Sequence, residues 1–401
     1  MSNIMTASRQ WATRPSDERF LDLNELHSAT HESRRLSAAK VLPNRALEVQ
    51  PDPNDNLNGL VVVGPNGVPA TMTNWSFGQL AQRAGAPAGY LRDLPAPLAA
   101  DCLNYGIRHG RDVEELGILL RKPRTVEGVQ AAVAKELNGE QTFAELLKKP
   151  IVKDANELSP SLVAVTGPNY GRVWNHEVVG ALLKNFGDGV TGSFRVPGIF
   201  GKALTEITRE NTTLYASDRD MFVFLADESR RIEIPNRRNG QAGSMARGFF
   251  VWNSEVGAQT LGIATFLFDY VCMNRIVWGA AQYSEIKIRH TSGAPARFIE
   301  QVLPAIKRYA AGSDTSIKEA IEKARAARIG DEDKVRDFLA KRFTRTQAGA
   351  IMMAHKNEEG RPIETLWDAA VGATGYARGI QYQNERVDIE REAGKILDLA
   401  K

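Results

Sequence analysis

The sequence predicts an α+β fold: a central, mostly antiparallel sheet with helices on one side, and a C-terminal helical region. Three observations predict it. Residues 211–290 are the most β-rich block, made of β-branched and aromatic runs separated by polar turns. From Pro295 onward the apolar spacing becomes helical in six successive segments. The 401 residues, 43% hydrophobic and 25% charged, suffice for two or three domains with a buried core.

Taken in order, residues 1–58 read as an extended N-terminal arm. Pro43, Pro51 and Pro53, with Asn54, Asp55 and Asn56, break it up, and only residues 33–40 suggest a helical turn. Residues 59–160 read as a mixed, mainly helical domain. It opens on a strand, a Gly64-Pro65-Asn66-Gly67 turn and a second strand. Ser76 then caps a helix through Gln82, Pro87 starts another, and residues 98–109 form a third. Residues 116–120 make a strand, Thr125 opens a helix to Leu137, and a connector fills 140–160.

Residues 161–294 form the central β-rich domain. Residues 161–166 are a buried strand, 167–171 a loop, 174–186 an amphipathic helix and 190–196 a strand. Strands at 212–216, 221–226 and 230–234 lead to the most informative stretch, residues 247–257. There an aromatic strand runs into Asn253, Ser254, Glu255 and Gly257, residue types that tolerate tight turns, and a long apolar strand follows. Residues 285–290 alternate polar and apolar, as a half-exposed edge strand does. Residues 295–401 are the helical region, its charges of alternating sign marking solvated faces.

Formal net charge is only +3, so a polyanion-binding surface must be a local patch, acting over roughly 8–10 Å. Two cysteines, Cys102 and Cys272, stand far apart in apolar surroundings. Their number excludes a disulfide framework and a thiolate zinc site, and suits a reducing cytoplasm. Residues 1–17 lack an apolar signal segment, and the run 261–271 is too short for a bilayer and carries Asp269. A soluble chain with no membrane contact, cofactor or metal is expected.

Several motifs lose to plainer readings. Residues 80–91 have helix-turn-helix spacing, but Ala86, Pro87, Ala88 and Gly89 begin the second helix, with Arg92 the one useful base-reading side chain. His27 and His31 share a helix face, yet Ser28 stands where zinc peptidase helices carry glutamate. Asp218 and Asp220 suit a hairpin turn better than a metal pair. Residues 167–171 lack the lysine of a phosphate loop, Ser254 lies in no nucleophile elbow, and Cys272 reads as a core thiol.

The basic cluster is different. Arg230, Arg231, Arg237, Arg238 and Arg247 fall within eighteen residues containing one acid, Glu233. Strand alternation points Phe249 and Val251 to the core, leaving Phe250 and Trp252 on the other face. Guanidinium groups for phosphates beside rings for bases make a single-strand binding surface, to which Lys287 and Arg289 on the edge strand would add.

Six short motifs also resemble, in order, a phage/plasmid-like protein family whose defining domain is catalogued as domain of unknown function number 932. They are residues 164–175 with Tyr170, Arg172 and Asn175; Tyr215 to Asp220; Gly248 to Gly257; Cys272-Met273-Asn274; Ile288 to Thr291; and Thr365 to Asp368 with Ala373-Thr374. Arg275 departs from the glycine usual in the fourth. The resemblance spans roughly residues 75–400. It implies a protein of phages, plasmids and prophages, acting in the cytoplasm of a bacterial host near DNA-processing genes, with no activity assigned. Tyr170, Asn175, Asn253, Glu255, Asn274 and His290 either converge on one polar site or serve as turn formers that satisfy buried backbone groups.

The leading expectation is therefore a non-enzymatic protein that binds single-stranded DNA in recombination, annealing or replication, as a homo-oligomer. A metal-dependent enzyme on nucleic acid, using Glu255, His290 and Asp218 or Asp220, is the alternative. An interaction protein that modulates host defence is the third.

Overall fold

The structure, a computed structural model, describes residues 15–109, 114–122, 160–197, 206–235, 237, 240–269, 274–276, 285–380 and 383–400. The chain starts with β1 (Arg19–Phe20), α1 (Leu23–Arg35), β2 (Ser37–Pro43), β3 (Glu48–Asp52), β4 (Asp55–Val63) and β5 (Pro69–Met72). Next come α2 (Asn74–Arg83), the single turn α3 (Ala88–Leu91), α4 (Ala96–His109), β6 (Glu115–Arg121) and β7 (Ser161–Thr166). Then α5 (Asn175–Phe186) leads to β8 (Phe194–Arg195), β9 (Leu214–Ala216), β10 (Met221–Ile234), β11 (Gly243–Asn253) and β12 (Leu261–Asp269). Two short strands, β13 (Asn274–Ile276) and β14 (Glu285–Ile288), precede the helical region. That region holds α6 (Ala294–Arg297), a π-helical turn at Phe298–Val302, α7 (Leu303–Ala311), α8 (Thr315–Ala326), α9 (Glu332–Ala340), α10 (Arg345–Glu359), α11 (Leu366–Arg378) and α12 (Gln383–Asp398).

The α+β expectation holds, with an antiparallel central sheet and a helical C-terminal region. Eight described strands form the central sheet in the order β1-β9-β10-β11-β12-β13, with β14 also on β12 and β8 on β10. Every pairing in it is antiparallel. The second sheet runs β2-β6-β7-β5-β4-β3, antiparallel except where β5 meets β7.

Two expectations need correction. Residues 15–58 are no loose arm: β1 joins the central sheet through β9, and β2 and β3 join the second sheet. Their prolines lie at strand ends and edges, where no ladder hydrogen bond is lost. The strands expected at 221–226 and 230–234 are one strand, β10, carrying a register shift between Ala226 and Arg231. The helix from Thr125 and the connector at 140–160 fall outside the described residues. Among the described residues, no helix is long and apolar enough to cross a membrane.

Both faces of the central sheet are covered. Val223, Leu225, Phe249, Val251 and Ile263 pack against Leu23 and Leu26 of α1, Val179 and Leu182 of α5, and Ile306 of α7. Phe222, Phe224, Phe250, Trp252, Phe266 and Phe268 cover the other face, together with Val387 of α12. The far end of the sheet, from Ile232, Met245, Leu267 and Ile276, joins the core of the C-terminal helices around Trp367. A third core lies between the second sheet and α2 and α4.

In the helical region Asp368 is the electrostatic anchor. Burial alone would raise its pKa. His355, 3.5 Å away, and the two-pronged Arg361 at 2.6 and 2.9 Å outweigh burial and hold its carboxyl well below the usual range. Glu364 and Thr365 add backbone N–H donors to it. A depressed carboxylate contributes stability above its unfolded pKa of about 3.9 and loses that contribution as pH falls further. Asp368→Asn should therefore cost about 3 kcal/mol near neutral pH. Its urea midpoint should also fall less steeply than the wild type's on acidification below about pH 4. Parallel curves for the two proteins would contradict this account.

Candidate functional site at the junction of the two sheets

The turn after β11 is where the two sheets meet. Gly257 has φ 80°, a conformation that glycine supplies at no steric cost, which closes the turn. Val256 then inserts among Leu119, Val163 and Ala164 of the second sheet. The backbone groups exposed by the turn find side-chain partners from both sides. Trp75 Nε1 and Gln79 Nε2 donate to the Val256 carbonyl at 3.0 and 2.8 Å. Tyr170 donates its hydroxyl to the Ser254 carbonyl at 2.9 Å, and Arg172 donates to that of Glu255.

Glu255 is buried, and both of its carboxylate oxygens are engaged. Arg121 donates to Oε2 at 2.7 Å, and the Asn175 backbone N–H donates to Oε1 at 2.8 Å. Asn253 donates to the Val173 carbonyl and to Asn175 Oδ1, each at 2.8 Å. His290 Nδ1 lies 3.1 Å from the Gly171 carbonyl, and its ring stacks on Tyr170 with centroids 4.9 Å apart. Burial lowers the His290 pKa and raises that of Tyr170, so the imidazole is neutral and the phenol protonated near neutral pH.

Five of the six expected polar residues thus gather in one place. Their hydrogen bonds go mainly to backbone groups, the turn-forming alternative of the two. Asn274 is not with them: it pairs with Asp269, at the other end of β12 from Leu261. Ser217 and Asp220 close a hairpin, with Ser217 N–H on the Asp220 carbonyl at 2.8 Å, as the turn reading of that segment requires.

The expected basic and aromatic surface is differently placed. Strand alternation is as expected, but Phe250 and Trp252 are buried at 1% and 3% exposure, because α12 and neighbouring rings cover their face. Phe250 stacks on Phe224 at 4.8 Å, and the Trp252 ring lies over Gly262. Arg237 is buried between Asp269 at 2.6 Å and Glu359 at 2.7 Å. Arg247 is buried against Asp314 at 3.0 Å. Arg230 pairs with Asp227, Arg231 with Glu228, and Lys287 with Glu285. Arg289 is exposed beside the site, and Arg238 lies outside the described residues. Acids remote in sequence neutralise Arg237 and Arg247, and Asp227 and Glu228, just outside the eighteen residues, neutralise Arg230 and Arg231; a count of acids within that window registers neither set.

Rings and guanidinium groups do meet at the solvent, but at the sheet junction. Arg34 lies over Trp174 at 4.0 Å, and Arg219 over Trp75 at 4.7 Å. Arg172 lies 5.2 Å from the Tyr170 ring and 5.6 Å from that of Trp174. Trp75, Tyr170 and Trp174 are half-buried. Four guanidinium groups gather here with Glu255, Asp218 and Asp220, and among the described residues only Arg121 is ion-paired, to Glu255. Trp75 and Arg34 carried no distinguishing signal in the sequence. Arg172 and Trp174 had one, as part of the segment 164–175.

Among the described residues no group of three or more His, Cys, Asp or Glu is placed to hold a metal ion. The fold and site define an α+β protein of two sheets locked by a polar turn, with an arginine–aromatic surface over the lock. No family model matches the chain, and neither the curated proteins nor the solved structures contain a match.

Proposed function

We propose that the protein binds single-stranded nucleic acid at the sheet junction, with DNA the expected polymer and recombination, annealing or replication the setting. The supporting observation is the set of guanidinium groups over half-buried rings, Arg34 on Trp174 and Arg219 on Trp75, neither arginine in a salt bridge among the described residues, although Asp218 lies within electrostatic reach of Arg219. Such a surface offers charge to phosphates and flat faces to bases without reading base edges, which suits a single strand of any sequence. Membership of the phage/plasmid-like family, suggested by the order of its motifs, would place that activity in a bacterial cytoplasm. Repeated copies along one strand would give a homo-oligomer.

Anisotropy titration with a labelled single-stranded oligonucleotide at several salt concentrations tests this. Arg34→Gln with Arg219→Gln should flatten the slope of log K against log salt by about 1.4, two phosphate contacts at about 0.7 each. Trp174→Ala should weaken binding by about 1–3 kcal/mol, the worth of one stacked base. Arg230→Gln, away from the junction, should leave the slope as it is. No binding at low salt, or a slope indifferent to Arg34 and Arg219, would end the proposal.

A further inference from the structure

α1 carries more than Arg34 toward the junction. His27, His31 and Arg34 stand at i, i+4 and i+7, on one side of the helix. Opposite them is the start of α5, where His176 follows Trp174 and Asn175. The His31 and His176 rings are 5.6 Å apart, and those of His27 and His31 6.1 Å. His27 Nε2 points at Gly180, 3.1 Å from where a Cβ would lie, so the missing side chain makes room for the imidazole. The seam between α1 and α5 therefore presents three imidazoles in a row that ends at Arg34 and Trp174.

We infer that this histidine row is a proton-gated extension of the nucleic-acid site, gripping the phosphate backbone more tightly as pH falls. The inference rests on the reading of the junction as that site. The surrounding charges favour it. The carboxylates nearest in the chain are committed elsewhere: Glu25 to Arg209, Glu32 to Arg35, and Glu177 to the N-terminal cap of α5. β1 and β9, also packed on α1, bring only Arg19, which donates to the backbone carbonyls of Arg209 and Glu210.

With cations as the neighbours, burial first and mutual repulsion second lower the pKa of His27 and of His176, with Arg34 adding to the effect at His176. His27 and His176 in the free seam thus stay neutral until the solution is acidic. A phosphodiester laid along it supplies the missing counter-charge, so binding takes up protons, and affinity must rise as pH falls. His176 Nδ1, buried without a hydrogen-bond partner among the described residues, is one donor that protonation would supply.

The test is anisotropy with a labelled thymidine homopolymer, whose bases do not titrate in the range used, at constant ionic strength. Wild type is expected to bind about tenfold tighter near pH 5.8 than near pH 8. His27→Gln, His31→Gln and His176→Gln together should reduce that gain to about twofold or less. His31→Gln alone, at an exposed position where folding is not at stake, should give an intermediate gain. Equal binding by wild type at both pH values would overturn the gate while leaving the junction as a site. Equal tightening in wild type and variants would place the titration elsewhere and overturn it too. Absence of binding at either pH would remove the underlying reading with it.

Discussion

Arg237→Ala is expected to lower stability to urea by about 3–5 kcal/mol, a large loss for a single charged residue. The guanidinium is 1% exposed, and so is Asp269; Glu359 is 2% exposed. Nε and Nη2 reach Glu359 Oε1 at 3.0 and 2.7 Å, while Nη1 meets Asp269 at 2.6 Å. The Trp367 ring lies 5.6 Å from the guanidinium carbon and closes the site from the helical side. Removing the cation leaves two carboxylates buried with no counter-charge, and the cost comes from their desolvation rather than from lost attraction. The control follows from the same physics. Arg237→Met combined with Asp269→Asn and Glu359→Gln removes all three charges and should recover most of the loss, ending within about 2 kcal/mol of wild type. A loss below about 1 kcal/mol for Arg237→Ala would show that water reaches the carboxylates. The residue joins the central sheet to α10, so it serves the fold rather than a ligand.

Gly171→Ala should cost about 3 kcal/mol or more, an effect rare for the addition of one methyl group. A Cβ on Gly171 would lie 1.8 Å from the Thr291 carbonyl oxygen and 2.5 Å from its carbonyl carbon. Both are backbone atoms, so no rotamer change relieves the overlap. The contact exists because Tyr170 bridges Thr291 and the Gly171 N–H donates to the His290 carbonyl at 3.1 Å. Parting these two segments would also separate the stacked Tyr170 and His290 rings and shift Arg172, so oligonucleotide affinity should fall together with the urea midpoint. A variant as stable as wild type would mean that the segments are not in contact in solution.

The strands and helices were legible because they depend on local periodicity. The buried apolar run at 161–166, the aromatic and long apolar strands either side of the turn at 253–257, and helical spacing after Pro295 correspond to β7, β11, β12 and the C-terminal helices. The turn at 253–257 was legible from its residue types, and the gathering of Tyr170, Asn175, Asn253, Glu255 and His290 was foreseen as one of two alternatives. Residues 15–58 were misread because proline and asparagine mark edges and turns as readily as linkers. Arg237 and Arg247 were misread for a different reason. Their partners Glu359 and Asp314 stand 122 and 67 positions further along the chain, and no local pattern encodes them.

By itself, then, the sequence determined the α+β class, the antiparallel hairpin around its polar turn and the helical C-terminal region, since neighbouring residues set backbone preference and apolar period. Only the tertiary structure decided which charges and rings reach solvent. Two faces of one strand look alike in sequence, and whether the second is open depends on a helix that arrives over a hundred residues later, as α12 does over Phe250 and Trp252. The same long-range packing buried Arg237 and Arg247 and set guanidinium groups over rings at the sheet junction, from Arg34, Trp75, Trp174 and Arg219.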